Sequence, residues 1–264
     1  MSSNYDVICF TESWLDDDVE DCDIGFFNHN IFRCDRSVLT SSREKGGGVL
    51  VAVSKKYPCE QIYLRNNSFE YVILKILIND KKLLLGNVYL PPYTTSEEYC
   101  DFINELQDIF SYTNTFDSLE DFILLGDFNL SGFHWKSSMG YSTAVGSNPS
   151  EHITSGATCF SNFCKIYKLL QFVDFKNSFN NVLDLVFSNI GDISINKSID
   201  PLLPNGLFHE ALVIEVPIIH YSQLSNDEFF FDFKRGDYAS ILAELSLINW
   251  NSLIDNTKNL KILI

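Results

Sequence analysis

The feature that most constrains this chain is residues 124–129, Leu-Leu-Gly-Asp-Phe-Asn, an apolar run that ends in a glycine and two alternating polar side chains. The run predicts a buried strand, and in an extended backbone residues i and i+2 share a face. Asp127 and Asn129 are therefore expected to project together while Phe128 turns into the core. A carboxylate that positions a water, beside an amide that donates to a phosphate oxygen, suits phosphoryl chemistry. A Gly-Asp turn without catalytic chemistry is the alternative interpretation.

Composition indicates a folded domain with a large core. The 264 residues are 45% hydrophobic and 14% aromatic, which argues against disorder along the chain. The seven cysteines are an odd number without a Cys-x-x-Cys pair, so we expect reduced cysteines, an intracellular location and no zinc site. No segment approaches the roughly 18–20 apolar residues that span a bilayer, and the N-terminus lacks a signal-peptide pattern. Nothing therefore predicts a membrane partner.

The charge distribution is unusual for a protein that binds nucleic acid. The formal net charge is −16, whereas contacts from Lys and Arg to phosphates normally dominate affinity for DNA. Acidic residues cluster at positions 16–23, and basic residues are in excess over positions 33–65. The basic stretch is a candidate phosphate-facing surface, with an ordinary solvated face as the alternative.

Hydrophobic periodicity predicts strands alternating with helices. Helices are expected over residues 96–112 and from Phe160 to Leu170, because their aromatic residues recur at helical spacing. Several strand segments are apolar almost throughout, which indicates burial on both faces. The strands are predicted at residues 5–11, 48–53, 69–78, 83–90, 122–127, 183–187 and 211–216.

A set of motifs in fixed order carries a family resemblance. In sequence they are Thr11-Glu12-Ser13-Trp14-Leu15, Gly46 to Val53, Asn87 to Pro92, Gly126 to Leu130, and Leu183 to Asn189. Together they resemble the endonuclease domain of non-LTR retrotransposons, within the exonuclease III-like endonuclease/exonuclease/phosphatase superfamily, over about residues 5–217. The resemblance implies an α/β fold, a four-layer sandwich of two mixed β-sheets flanked by helices. It also implies a metal-dependent DNA endonuclease that nicks a target site by phosphodiester hydrolysis.

The resemblance assigns roles to individual side chains. Glu12 would bind Mg²⁺ or Mn²⁺, a hard cation that often takes only one or two protein carboxylates; Glu12 is otherwise one member of an acidic surface cluster. Asp127 would position the water, while Asn129 and Tyr89 would contact phosphate. A core tyrosine with a satisfied hydroxyl is the alternative for Tyr89.

Asp184 lies inside an apolar run, where an unpaired carboxylate would be costly to bury. It therefore needs a partner. The resemblance supplies His209 as that partner, in a pair that handles proton and charge near the scissile phosphate.

Two departures from the family pattern predict impaired activity. Phe208 stands where the family has a metal-site aspartate, and phenylalanine offers no lone pair to a cation. Family members also have a strand before the Glu12 strand, ending in an Asn, and Asn4 is too close to Glu12 to be that residue. A free apolar strand edge and a gap beside the site are expected in its place.

The expected organisation is an endonuclease/exonuclease/phosphatase-like domain at 1–217 that lacks its first strand, and a connector at 218–264. Such a connector normally leads to a reverse transcriptase. The expected partner is DNA and not a small molecule, and the resemblance places the protein in the nucleus. A catalytically inactive mobile-element remnant or interaction module is the alternative function, and a phosphatase of the same superfamily is a third.

Overall fold

The computed structural model describes residues 4–43, 45–63, 68–79, 81–113, 121–146, 155–204, 206–217, 238–247 and 259–264. The chain forms two compact units, one of Met1–Val216 with Leu260–Ile264 and one of Pro217–Asn259. The strands are β1 Val7–Thr11, β2 His29–Cys34, β3 Val49–Ser54, β4 Cys59–Gln61, β5 Glu70–Ile78, β6 Lys81–Tyr89, β7 Asp121–Asp127, β8 Phe133–Ser138, β9 Tyr141–Gly146, β10 Leu170–Gln171, β11 Asp184–Ser188, β12 Ser194–Lys197, β13 Leu212–Pro217 and β14 Asn259–Leu263. The helices are α1 Ser96–Thr113, α2 Ser155–Tyr167 and α3 Tyr238–Leu247.

Two mixed six-stranded sheets form the first unit. The first sheet has the order β12-β13-β14-β1-β3-β2 and the second has the order β10-β11-β7-β6-β5-β4. The β1–β14 and β6–β7 pairs are parallel, whereas β1–β3, β5–β6 and β7–β11 are antiparallel. The predicted α/β sandwich of two mixed sheets is confirmed. Each strand predicted from the sequence is present, with ends that shift by no more than two residues.

Helices α1 and α2 cover the outer face of the second sheet. Their aromatic residues enter one buried cluster with the strands, and Phe102 and Phe160 are completely buried there. Helical spacing places these rings on one face, as the periodicity predicted. The second helix lies earlier in the chain than expected, because α2 runs from Ser155 to Tyr167 and Leu170 begins the edge strand β10.

The outer face of the first sheet has a thinner cover. Ile8, Leu50 and Ala52 are buried there against Phe26 and against partly buried residues of the surrounding loops. A 3-10 turn at Asp21–Ile24 lies in this cover. Among the described residues of this unit, no α-helix contributes to that cluster, so the fourth layer of the sandwich consists of loops.

A buried amide joins the two sheets near one end. Asn87 of β6 is 1% exposed, and its Nδ2 donates to the carbonyl oxygens of Phe10 at 2.9 Å and Leu50 at 3.2 Å. These acceptors belong to β1 and β3, so the hydrogen bonds fix the spacing of the sheets at that level. The two donated bonds make this link, whereas Oδ1 of Asn87 is buried without a hydrogen-bond partner among the described residues.

A disulfide links the two helices, contrary to the expectation of reduced cysteines. Cys100 in α1 and Cys159 in α2 are bonded, with their Cα atoms 5.7 Å apart. Helix packing brings these residues together across a sequence separation of 59, which the cysteine spacing does not reveal. None of the described helices is long and apolar enough to cross a membrane.

The edge of β1 that was expected to be free is occupied by β14. The two strands are parallel, with Val7 opposite Ile262 and Ile8 opposite Leu263. On its other side β14 meets β13, where Leu212 and Ile264 exchange backbone hydrogen bonds of 2.9 and 3.1 Å. The expectation of an exposed edge is therefore wrong, because apolar residues assigned to the connector supply a strand.

We expect Ile262→Ala to destabilise the first unit, because Ile262 and its neighbour Val7 are both completely buried. Truncating a buried Ile typically costs about 2–5 kcal/mol. Lys261→Ala is the matched control, since its half-exposed side chain makes only a surface ion pair with Glu215, typically worth about 0–1 kcal/mol. Urea unfolding measures both variants, and equal free energies of unfolding would contradict the assignment of β14 to the core.

Candidate active site

Three neighbouring strands of the second sheet end at the same level. Tyr89 of β6 lies opposite Asp127 of β7, and Asp127 lies opposite Asp184 of β11. Close approach of β6 and β7 requires glycine at position 126, because a Cβ there would lie 2.0 Å from the carbonyl oxygen of Val88. The φ angle of Gly126, +136°, is one that other residues rarely adopt. The Gly-Asp motif therefore sets both the strand contact and the position of the carboxylate.

Asp127 is held from one side by Asn129. The Asp127 side chain is almost completely buried, and it accepts a hydrogen bond from Asn129 N at 3.0 Å and from Asn129 Nδ2 at 2.7 Å. The same Nδ2 donates to the Leu90 carbonyl at 2.9 Å. An amide nitrogen has two N–H groups, so both are used within the protein.

This geometry corrects part of the expectation for the segment. Phe128 is completely buried, as predicted. The backbone, however, leaves the extended conformation at Asn129, whose φ is +48°. Asn129 therefore folds back on Asp127, and both N–H groups of its side-chain amide are bonded within the protein. Its contacts are those of a positioning residue.

His209 lies beside both acidic residues. Its Nδ1 is 2.9 and 3.1 Å from the two carboxylate oxygens of Asp184, and its Nε2 is 3.8 Å from Oδ2 of Asp127. The imidazole is 42% exposed, so a ligand can reach Nε2. The structure thus brings Asp184 and His209 into the expected pair.

Glu12 and Tyr89 form a second contact on the same side. The Tyr89 hydroxyl donates a hydrogen bond to Oε1 of Glu12. Glu12 has a φ of +51°, and the residues after it are bonded to the glycine loop, with Ser13 N at 3.1 Å from Gly48 O. All of the predicted site residues therefore converge at one end of the sandwich.

Burial and neighbouring charges shift the protonation of the site. Burial, with the charge of Asp184, raises the pKa of Asp127 to about 7, against the opposing effects of His209 and Asn129. The hydrogen bond to Asp184 raises the pKa of His209 to about 9, against the effect of its burial. Burial, then the bond to Glu12, raises the pKa of Tyr89 well above its usual range. At neutral pH His209 is therefore charged and Tyr89 remains a donor.

Asp127, Asp184 and His209 could hold a metal ion, since one ligand atom from each lies within 4.8 Å of the others. Two carboxylates this close repel each other, and after burial this repulsion is the next cause of the raised pKa of Asp127. A hard divalent cation prefers oxygen ligands and would offset the repulsion. The carboxylates of Asp127 and Asp184 therefore fit a divalent cation, and His209 could join them only in its neutral form, since a charged imidazole has no free lone pair. Glu12, the expected ligand, does not belong to this group.

Sequence reasoning missed an ion pair that supports the site. Arg36 Nε lies 2.6 Å from Oε1 of Glu70, and both side chains are nearly inaccessible to solvent. Glu70 also accepts a hydrogen bond of 2.7 Å from Gly48 N, and it lies opposite Tyr89 in the β5–β6 pair. The Arg36 guanidinium is 5.8 Å from the centre of the Tyr89 ring. A lone acid at the start of an apolar run was the only signal of this pair.

Three basic residues of the stretch at 33–65 form ion pairs within the protein. Arg33 lies 3.1 Å from Asp35 and donates to the carbonyls of Asp16 and Val19. Lys56 forms an ion pair with Asp6. Arg36 is bound to Glu70, whereas Arg43, Lys45 and Lys55 are exposed, so only part of the expected phosphate-facing surface is engaged within the protein.

The sequence model of the Endonuclease/Exonuclease/phosphatase family matches residues 2–189. The endonuclease domain of TRAS1, a telomere-specific non-LTR retrotransposon, is 13% identical with a TM-score of 0.52, over 80% of this chain and 85% of that chain. The human Nocturnin catalytic domain is 13% identical with a TM-score of 0.48, over 79% of each chain. An AP endonuclease from Archaeoglobus fulgidus is 12% identical with a TM-score of 0.48, over 81% of this chain and 89% of that one. Curated protein sequences give no match. The TRAS1 domain shares the fold.

Asp184→Asn should lower the pKa of His209 from about 9 toward its ordinary value of 6.5, because the largest cause of the rise is the bond to Asp184. The raised pKa means that the pair stabilises the folded state fully below about pH 6.5 and loses this contribution as the pH rises through about 9. Two-dimensional NMR of the imidazole, in EDTA, measures the shift. Asp174→Asn, at an exposed loop position, is the control, and an unchanged His209 titration in Asp184→Asn would refute the coupling.

Glu70→Ala should strongly destabilise the protein, because it leaves the Arg36 charge buried without a partner. Breaking a buried pair from one side typically costs about 3–5 kcal/mol. Glu60→Ala removes an exposed carboxylate 3.9 Å from Lys75 and should cost about 0–1 kcal/mol. Guanidinium unfolding compares the two, and a Glu70→Ala cost no larger than that of Glu60→Ala would show that the pair is not structural.

Proposed function

The chain belongs to the endonuclease/exonuclease/phosphatase family, and we propose that it is a divalent-metal-dependent DNA endonuclease of retrotransposon origin. The observation that carries the proposal is the convergence of Asp127, Asp184 and His209, with ligand atoms within 4.8 Å of one another. Side chains from distant sequence positions that meet in this way identify a site. The ordered sequence motifs and the fold shared with the TRAS1 domain support the origin.

In this proposal Asp127 orients the attacking water and accepts its proton. Burial raises the pKa of this carboxyl, which favours uptake of a proton, and a bound cation would lower that pKa and keep the carboxylate ionised before the reaction. Asn129 fixes the carboxylate through two hydrogen bonds, so the base cannot rotate away from the water. The water oxygen then attacks phosphorus, the P–O bond opposite the attacking oxygen breaks, and its electron pair leaves with the departing oxygen.

His209 stabilises the charge that develops on the phosphate. Asp184 holds the imidazole by Nδ1, which keeps the ring charged at neutral pH and leaves Nε2 to donate to a phosphate oxygen. A fixed donor aimed at developing charge is worth about 10²–10³ in rate. Tyr89, a permanent donor in this pH range, orients the Glu12 carboxylate.

Asp127 and Asp184 would hold a Mg²⁺ or Mn²⁺ ion, with Glu12 at the edge of the same cleft. Such an ion neutralises the charge on the phosphate and polarises it. Phe208 supplies no oxygen ligand, so we expect weaker metal binding and a lower rate than in a site with an aspartate there. The same proposal includes chromosomal DNA as the substrate and a nuclear location. It also includes a connector at 218–264 that leads to a reverse transcriptase.

The test is nicking of supercoiled plasmid with Mg²⁺, with Mn²⁺ and with EDTA. The unmodified chain should nick only with metal, and Asp127→Ala or His209→Ala should lower the rate by about 10²-fold or more. His134→Ala, at an exposed position on β8, is the matched control and should retain the rate.

Nicking that persists in EDTA or in Asp127→Ala would contradict the proposal. A chain that is folded by circular dichroism yet inactive with both metals would support the inactive remnant. Release of inorganic phosphate from a 3′-phosphorylated oligonucleotide, without nicking, would instead identify a phosphatase.

A further inference from the structure

Two aromatic rings form an exposed stack next to the site. The rings of Phe179 and Phe208 are 5.0 Å apart at their centres with an interplanar angle of 18°. Phe179 is 57% exposed and Phe208 is 54% exposed. The other stacked phenylalanine pairs, such as Phe160 with Phe187, lie in the core. Exposed apolar side chains that lie together mark binding surfaces more often than scattered ones do.

The stack lies at the edge of the proposed active site. Phe208 is adjacent in sequence to His209, and a small cavity is lined by both Phe208 and Asp184. A second cavity of about 180 Å³ is lined by Asp184, His209 and Phe10. A phosphate bound at Asp127 and His209 would therefore have its adjoining nucleoside within reach of the rings.

The two loops that carry the rings hold each other in place. Phe179 sits in a turn in which Oδ1 of Asn177 accepts hydrogen bonds from Phe179 N at 2.9 Å and Asn181 N at 3.1 Å. Ser178 N donates to the carbonyl of Leu207 at 3.4 Å, which joins this turn to the loop of Phe208. The stack is therefore built before a ligand arrives, which lowers the entropic cost of binding.

The charge of the protein favours a ligand bound through its bases. The net charge of −16 repels duplex and single strand alike, and Arg33, Arg36 and Lys56 are engaged within the protein, so contacts to the bases must supply part of the affinity. Stacking on an aromatic ring needs no cation and tolerates any sequence, because every base has a π face. A base inside a duplex is already covered by its neighbours, so only an unpaired base can use the rings.

We propose that Phe179 and Phe208 are a stacking platform for an unpaired nucleobase next to the scissile phosphate. The inference rests on the proposed function for the position of that phosphate. It makes DNA with unpaired nucleotides the preferred substrate class over regular duplex. It also gives Phe208 a role of its own at the position where a metal ligand was expected.

Equilibrium binding in EDTA tests the platform without requiring catalysis. Fluorescence anisotropy is measured with a fluorescein-labelled single-stranded oligodeoxynucleotide, its duplex, and the same strand carrying abasic spacers in place of bases. The unmodified chain should bind the single strand more tightly than either of the others. Stacking is worth about 1–3 kcal/mol per base, so the loss should be about 5- to 150-fold.

Variants separate stacking from folding. Phe179→Ala and Phe208→Ala should weaken single-strand binding by a similar factor, while Phe208→Tyr should restore it because the ring is kept. Leu207→Ala is the matched control, since Leu207 is an exposed apolar neighbour without a ring, and it should bind normally. Thermal melting of each variant confirms that it is folded.

Equal affinity for the base-containing and abasic strands would overturn the platform, as would unchanged binding by Phe208→Ala or a duplex bound as tightly as the single strand. Undetectable single-strand binding would overturn it too. Base-dependent binding in a chain that nicks no plasmid would overturn the proposed hydrolase and leave the platform standing. The two proposals therefore fail by different results.

Discussion

The arrangement of the site depends on one close contact between strands. Gly126 lets β7 approach the backbone of β6 at Val88, and the register that follows puts Glu70, Tyr89, Asp127 and Asp184 in one row across four strands. Cross-strand neighbours are close enough to interact directly. A side chain at position 126 would separate the strands and break the row. The positions of Tyr89, Asp127 and Asp184 are thus set by the sheet rather than by a loop.

The row brings several acidic groups together, and the structure offsets their repulsion in two different ways. Glu70 has a permanent cation, Arg36, and a hydrogen bond from the glycine loop. Asp127 has Asn129 and the edge of His209, but its burial and the charge of Asp184 still raise its pKa to about 7. Glu70, whose charge is paired, supports the structure. Asp127, whose charge is only partly offset, has the raised pKa that suits a base. Pairs of acids in unequal environments commonly divide their roles in this way.

Much of the fold was readable from the sequence because buried strands such as β3 and β7 are continuous apolar runs. What could not be read were contacts that depend on long-range register or on local departures from regular geometry. The prediction that Asn129 continues the extended strand was wrong, because the φ angle of Asn129 is +48°. Pairing of β14 with β1 joins the two ends of the chain, and no local pattern in residues 259–264 reveals its partner. The Arg36–Glu70 pair was hidden for the same reason.

Three of the eight described non-glycine residues with a positive φ angle lie around this end of the molecule. Glu12, Trp14 and Asn129 all have left-handed φ angles of 48–55°, which non-glycine residues adopt at a cost. Backbone bonds from Ser13 and Trp14 to the glycine loop hold the first two residues in place. Gly47 in that loop leaves no room for a Cβ beside Arg36 and Glu70. The buried ion pair, the glycine loop and the Glu12–Tyr89 contact therefore form one connected support, so a defect in any part of it would displace the carboxylate at position 12.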